Sequence, residues 1–166
     1  KDGVTDILTS LERPDKFWKL KKSVIRELIN NHKYQTAYKL TINHGLISNA
    51  DIASAEWLAG WISLTFLADP ITAKSHFQKI WDVSSRPISK ARASYWIGKS
   101  FGRLNDETLS EKWFKEASRY SLTFYGQLAA TELNETLTFK PILNEIDTVD
   151  FKINNDLKDV YTAISL

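Results

Sequence analysis

Apolar residues recur at steps of three and four along most of this chain, and the recurrence is broken at short intervals by proline, glycine or an Asx residue. Phe17, Leu20, Val24 and Leu28 define one face of a segment opened by Pro14. Tyr34, Ala37, Tyr38 and Thr41 repeat the spacing until Gly45, and Trp57, Trp61, Leu64 and Ala68 form a third stripe in a segment from about residue 49 to 68. Such spacing places the apolar side chains on one side of an α-helix. Each break carries its own physical cause. Asp69-Pro70 offers a carboxylate to free backbone N–H groups and a residue that needs no N–H in the first turn. Ser85-Arg86-Pro87 is expected to serve the same purpose. Asn105-Asp106 divides two further helices, and Ser121-Leu122-Thr123 opens another at Phe124. Connections this short make consecutive helices antiparallel neighbours.

The hairpins repeat. Phe77 and Phe114 lie 37 residues apart, and Gly60 and Gly98 lie 38 apart. Gly98, Phe101, Ser110, Phe114 and Ala117 fall at the glycine, tyrosine, alanine, phenylalanine and alanine spacings of a tetratricopeptide repeat. Small residues let two helices approach, and the aromatic ring fills the space between hairpins. The expected fold is therefore all-α: an α-superhelix or solenoid of antiparallel helical hairpins, tetratricopeptide-like, over residues 1–133. A short turn or helix is expected near residues 4–11. Residues 134–166 read as a connector and the start of a further, truncated helix.

Composition narrows the function classes. The 166 residues carry 22 Lys+Arg and 20 Asp+Glu, 43% hydrophobic residues, 6 glycines and 4 prolines, which suits a folded helical chain. The net charge of +2 is unevenly spread: residues 1–45 carry +4, 46–104 carry +3 and 105–166 carry −5. Blocks of like charge are absent, so an ordinary solvated surface is the simpler account. No apolar run approaches the roughly 18 residues of a membrane span. Nucleic acid is not expected as a partner, since no binding motif accompanies the near-neutral charge. Cysteine is absent, removing disulfides, thiolate metal sites and cysteine nucleophiles. Methionine is absent too, so the chain is expected to begin inside a longer or processed protein.

Catalytic motifs are missing. His32, His44 and His76 do not form a zinc-binding His-x-x-x-His pair and are expected to cap or pack. Gly98-Lys99-Ser100 lacks the earlier glycine and the preceding strand of a phosphate-binding loop. Glu107, Glu111 and Glu116 read as a solvated face. No cofactor, metal ligand or catalytic residue is assigned. Most of the six tryptophans and six tyrosines sit at seam spacings and are expected to pack. Arginine and aromatic residues interleave at Arg86, Arg92, Tyr95, Trp96 and Arg103, which makes this stretch the best candidate surface.

Several blocks, in order, resemble a known family. Tyr34-Gln-Thr-Ala37-Tyr38-Lys-Leu40 leads to His44-Gly45 and then to Ala55-Glu56-Trp57-Leu58-Ala59-Gly60-Trp61-Ile62. Asp69-Pro70, Ala73 and His76-Phe77 follow, then Arg86-Pro87-Ile88-Ser89, Tyr95-Trp96-Ile97-Gly98 and Phe124-Tyr125-Gly126-Gln127-Leu128-Ala129. Over roughly residues 17–133 this set resembles the helical-repeat region of the soluble lytic murein transglycosylases. It departs at Lys90 and Lys99, where the family has arginine, and at Ser63, where it has alanine. The resemblance implies a periplasmic bacterial protein whose whole form cleaves peptidoglycan between N-acetylmuramic acid and N-acetylglucosamine, leaving 1,6-anhydromuropeptides. It implies two partners, a C-terminal lysozyme-like catalytic domain and peptidoglycan glycan strands. The family's catalytic Glu-Ser pair is missing here, since none of the nine glutamates precedes serine. The chain is thus expected to be the non-catalytic, superhelical scaffold; the alternative is a tetratricopeptide-like adaptor that binds protein. Arg86, Arg92, Tyr95, Tyr125 and Gln127 are the candidate glycan or inter-domain contacts.

Overall fold

Proline and short polar caps set where the helices of this chain begin. The structure, a computed structural model, describes residues 14–42 and 44–135, and the described part is all-helical: α1 (Pro14–Asn30), α2 (Tyr34–Ile42), α3 (Asn49–Thr65), α4 (Pro70–Val83), α5 (Pro87–Arg103), α6 (Glu107–Ser118) and α7 (Phe124–Glu132). The expected element at residues 4–11 and the connector and helix beyond residue 135 lie outside the described residues. None of the described helices is long and apolar enough to cross a membrane.

Caps explain the starts. The Asp69 carboxylate accepts from the Thr72 N–H at 3.0 Å, and Asp106 does the same for Leu109 at 3.0 Å. Thr123 Oγ1 accepts from Gly126 at 3.0 Å. The expected cap at Ser85 is corrected: Arg86 is the residue preceding α5, and no side chain caps that end. Pro87 itself has no N–H to satisfy, which makes the missing cap less costly. Four connections turn through a left-handed residue: His32 (φ 57°), Gly45 (φ 61°), Ala68 (φ 51°) and Asn105 (φ 58°). Ala68 stands there because α3 stops at Thr65, three residues before the expected end. The Asp69 N–H then reaches back to the Ser63 carbonyl at 2.9 Å, closing the helix end.

Each helix packs on its successor, and α3 meets α5 and α5 meets α7 across the intervening helix. The α3–α4 register is antiparallel: Gly60 meets Phe77, Glu56 reaches Lys79, and Asn49 reaches Val83. In α5–α6, Gly98 meets Phe114 and Gly102 meets Ser110. At both seams the glycine is required by space. A Cβ on Gly60 would stand 2.6 Å from the Phe77 ring, and one on Gly98 would stand 2.8 Å from the Phe114 ring. Phe77 is fully buried, worth about 2–3 kcal/mol in apolar transfer.

The core is a series of three clusters along the chain. The first joins Trp18, Ile25, Ala37, Leu46, Ala55 and Ile62; the second centres on Phe77, Ile80, Ala93 and Ile97; the third on Tyr95, Phe114, Ala117 and Ala129. Trp96 packs against both the second and the third, its ring stacked on Phe77 at 5.7 Å. One face is corrected. In α1, Leu20 is 64% and Val24 50% exposed, and the buried stripe runs instead through Trp18, Lys21 and Ile25. The helix is turned by one residue because Trp18 supplies more area to bury than any side chain on the expected face.

Candidate functional site

A polar cleft of about 510 Å³ opens where the first turns of α3 and α5 meet the last residues of α4. Its walls carry Ser48, Asn49, Ser84, Ser85, Ser89, Arg86 and Arg92. The local fold dictates this crowding. Both α3 and α5 begin without a side-chain cap, so donors at two helix ends are left to other partners. Two carbonyls at the end of α4 are occupied by side chains: Asn49 Nδ2 donates to the Val83 carbonyl at 3.3 Å, and Lys90 Nζ donates to that of Trp81. What remains facing the cleft is rich in donors.

Arg92 is the inner of the two cations. Its guanidinium carbon lies 5.3 Å from the centre of the Trp57 ring, and its Nε is buried without a hydrogen-bond partner. Burial lowers its pKa, with Tyr125 opposing. Arg86 is exposed at the mouth, and neither guanidinium has a carboxylate partner among the described residues. Asp51 in the first turn of α3 and Asp82 near the end of α4 are not lining residues; Asp82 instead accepts from Gln78 at 3.0 Å.

The other concentration of titratable groups is a buried network that ties α2, α3 and α4. Glu56 Oε2 lies 2.5 Å from His76 Nδ1, and the other ring nitrogen of His76 lies 3.0 Å from the Tyr38 hydroxyl. Lys79 Nζ donates to Glu56 Oε1 at 3.3 Å, and His44 Nε2 stands 3.8 Å from the same oxygen. His44 is oriented by the Leu46 N–H, which donates to its Nδ1 at 3.0 Å, leaving Nε2–H aimed at Glu56. Burial works to raise the Glu56 pKa. It is outweighed by the approach of His44, the hydrogen bond from His76 and the charges of His76 and Lys79, which hold the carboxyl far below its ordinary range. Glu56 is therefore a fixed anion, with both oxygens engaged. The network consumes its own donors and acceptors, and the cleft is lined by other residues.

The candidate residues read from sequence fall into two groups. Arg86 and Arg92 come together at the cleft. Tyr95 and Tyr125 come together one seam further on, with ring centres 5.5 Å apart, and Tyr95 donates its hydroxyl to Glu132 at 2.9 Å. Desolvation, helped by the Glu132 hydrogen bond and charge, pushes the Tyr95 phenol far up, so it remains a donor. Gln127 is half-buried on α7 and does not line the cleft. Trp96 packs in the core, and Arg103 borders a separate small hollow with Leu64, Ala68 and Pro70. Sequence reasoning missed the serines and Asn49 around the arginines, and it missed Glu56. The signal for Glu56 was a single carboxylate inside the apolar run from Ala53 to Leu64. Among the described residues, no cluster of His, Cys, Asp and Glu could hold a metal ion. Comparison with protein-family models, curated proteins and solved structures finds no match to this chain.

Proposed function

We propose that this chain is the non-catalytic helical scaffold of a periplasmic soluble lytic murein transglycosylase. Its hairpins would continue into an α-superhelix of tetratricopeptide-like units that holds a C-terminal lysozyme-like domain and shapes the passage for peptidoglycan glycan strands. The parent enzyme's reaction, cleavage between N-acetylmuramic acid and N-acetylglucosamine to 1,6-anhydromuropeptides, belongs to that other domain. The observation that carries this reading is the repeated seam: Gly60 under Phe77 and Gly98 under Phe114, with antiparallel helices in the same relation at each. A unit that repeats by close approach of helices makes a stiff support. The fixed charge of Glu56 fits the same role, since a carboxylate locked by three cationic or donor groups serves to join helices and not to accept a substrate proton. Tyr125 and Gln127 on the last seam are the proposed inter-domain contacts, with Tyr95, buried in the third cluster, packing behind Tyr125.

The test uses folded, helical chain incubated with purified murein sacculi. The expected result is retention of the chain on sedimenting sacculi with no release of 1,6-anhydromuropeptides by mass spectrometry. Selective binding of one polypeptide, without retention on sacculi, would favour the tetratricopeptide-like adaptor. Turnover lost on replacement of one of the chain's glutamates would overturn the scaffold reading.

A further inference from the structure

We propose that the cleft between the starts of α3 and α5 is a binding site for a phosphate group carried on a small polar molecule. The inference stands apart from the scaffold reading and rests on three observations about the cleft. First, two arginines line one space with no carboxylate partner among the described residues, and the inner one, Arg92, is held with its guanidinium against the Trp57 ring and its Nε shut away from solvent, so only the outer part of its fork is open to a ligand. Guanidinium groups match the oxygen spacing of phosphate and bind it through paired hydrogen bonds. Second, the remaining lining carries four serine hydroxyls, and the Val83 carbonyl beside them is already used by the Asn49 amide. Third, the uncapped start of α3 borders the same space at Ser48, Asn49 and Ala50, and a helix start favours an anion; the start of α5 adds less, since Pro87 has no N–H and those of Ser89 and Lys90 are taken by the Arg86 carbonyl.

The size and the donor count select the ligand class. About 510 Å³ exceeds what a bare ion fills and falls within the range of small-molecule sites. Two arginines with several hydroxyls offer more donors than the two oxygens of a carboxylate accept, whereas a phosphomonoester presents three oxygens and nearly two charges. A neutral sugar would use the hydroxyls but would leave Arg92 without an anion.

Nitrogen-15 spectra of the folded chain, recorded at about 150 mM NaCl to screen loose surface attraction, test the site. The probes are inorganic phosphate and glycerol 3-phosphate, with glycerol as the neutral control. Saturable shifts of the amides of residues 49–51 and 88–90 are expected with both phosphates, glycerol 3-phosphate binding at least as tightly. Arg86→Gln and Arg92→Gln should each weaken binding at least tenfold. Absence of saturation up to tens of millimolar, equal shifts with glycerol, or unchanged binding by Arg86→Gln would overturn the proposal. Arg86 is exposed, so that variant decides the matter even where Arg92→Gln disturbs the packing on Trp57. Retention on sacculi is a separate readout, so loss of either result leaves the other interpretable.

Discussion

His76 Nδ1 and Glu56 Oε2 lie 2.5 Å apart across the α3–α4 seam, and the same imidazole meets the Tyr38 hydroxyl at 3.0 Å on its far side. With Glu56 ionised, Nδ1 must carry a proton, so in the neutral ring Nε2 accepts from Tyr38. One side chain thereby fixes the positions of three helices.

Stability should depend on this carboxylate in acid. Glu56 has a folded pKa depressed below its ordinary 4.5, so its contribution is complete above that value and is lost as pH falls toward the folded pKa. The melting temperature is expected to decline steadily from pH 4.5 downward, and Glu56→Gln should flatten that decline. Because Gln leaves the ring without an anionic acceptor, the variant should also be about 1–3 kcal/mol less stable at pH 7 by urea unfolding. Parallel pH profiles for the two proteins would contradict the assignment.

At the seams, Gly60→Ala and Gly98→Ala should each destabilise by about 1–3 kcal/mol, although alanine is the better helix former. The added methyl has no room under Phe77 or Phe114. A double-mutant cycle is the sharper measurement. Gly60→Ala combined with Phe77→Leu should cost less than the two changes made separately, and strict additivity would show that the methyl and ring do not meet.

Removing the caps gives a milder effect. Asp69→Ala and Asp106→Ala should each lower stability by about 1 kcal/mol in chemical denaturation, since each carboxylate receives one N–H of a first helical turn. Ser85→Ala should change stability by less than about 0.5 kcal/mol, because α5 starts without a side-chain cap.

A gain is expected at Ala68→Gly. Alanine is held at φ 51°, where its Cβ opposes the backbone by about 1–2 kcal/mol, a strain glycine does not carry. Thermal unfolding should shift upward, with part of the relief offset by the greater freedom of glycine in the unfolded chain.

The helix starts were legible because their causes are local: Asp69, Asp106 and Thr123 bind N–H groups three residues ahead. The glycine–phenylalanine seams were legible because the pattern recurs. Leu20 and Val24 misled because apolar spacing identifies a face without saying which neighbour will bury it, and Trp18 and Ile25 took that place. Arg86 and Arg92 could be picked out as basic residues among aromatics, but the serines that complete their cleft come from the starts of two helices and the end of a third. The linkage of Glu56, His76 and Tyr38 was not legible for the same reason. Their partnership joins residues 20 and 38 positions apart, and nothing local announces it.

The habit of each helix of packing on its successor, with α3 also meeting α5 and α5 meeting α7, has a kinetic consequence. Loops closed in forming these contacts are short, so little chain entropy is lost before a seam begins to stabilise itself. Folding of such a chain should be fast for its length and should not depend on any distant pairing, with an isolated α3–α4 or α5–α6 pair able to serve as the first ordered nucleus.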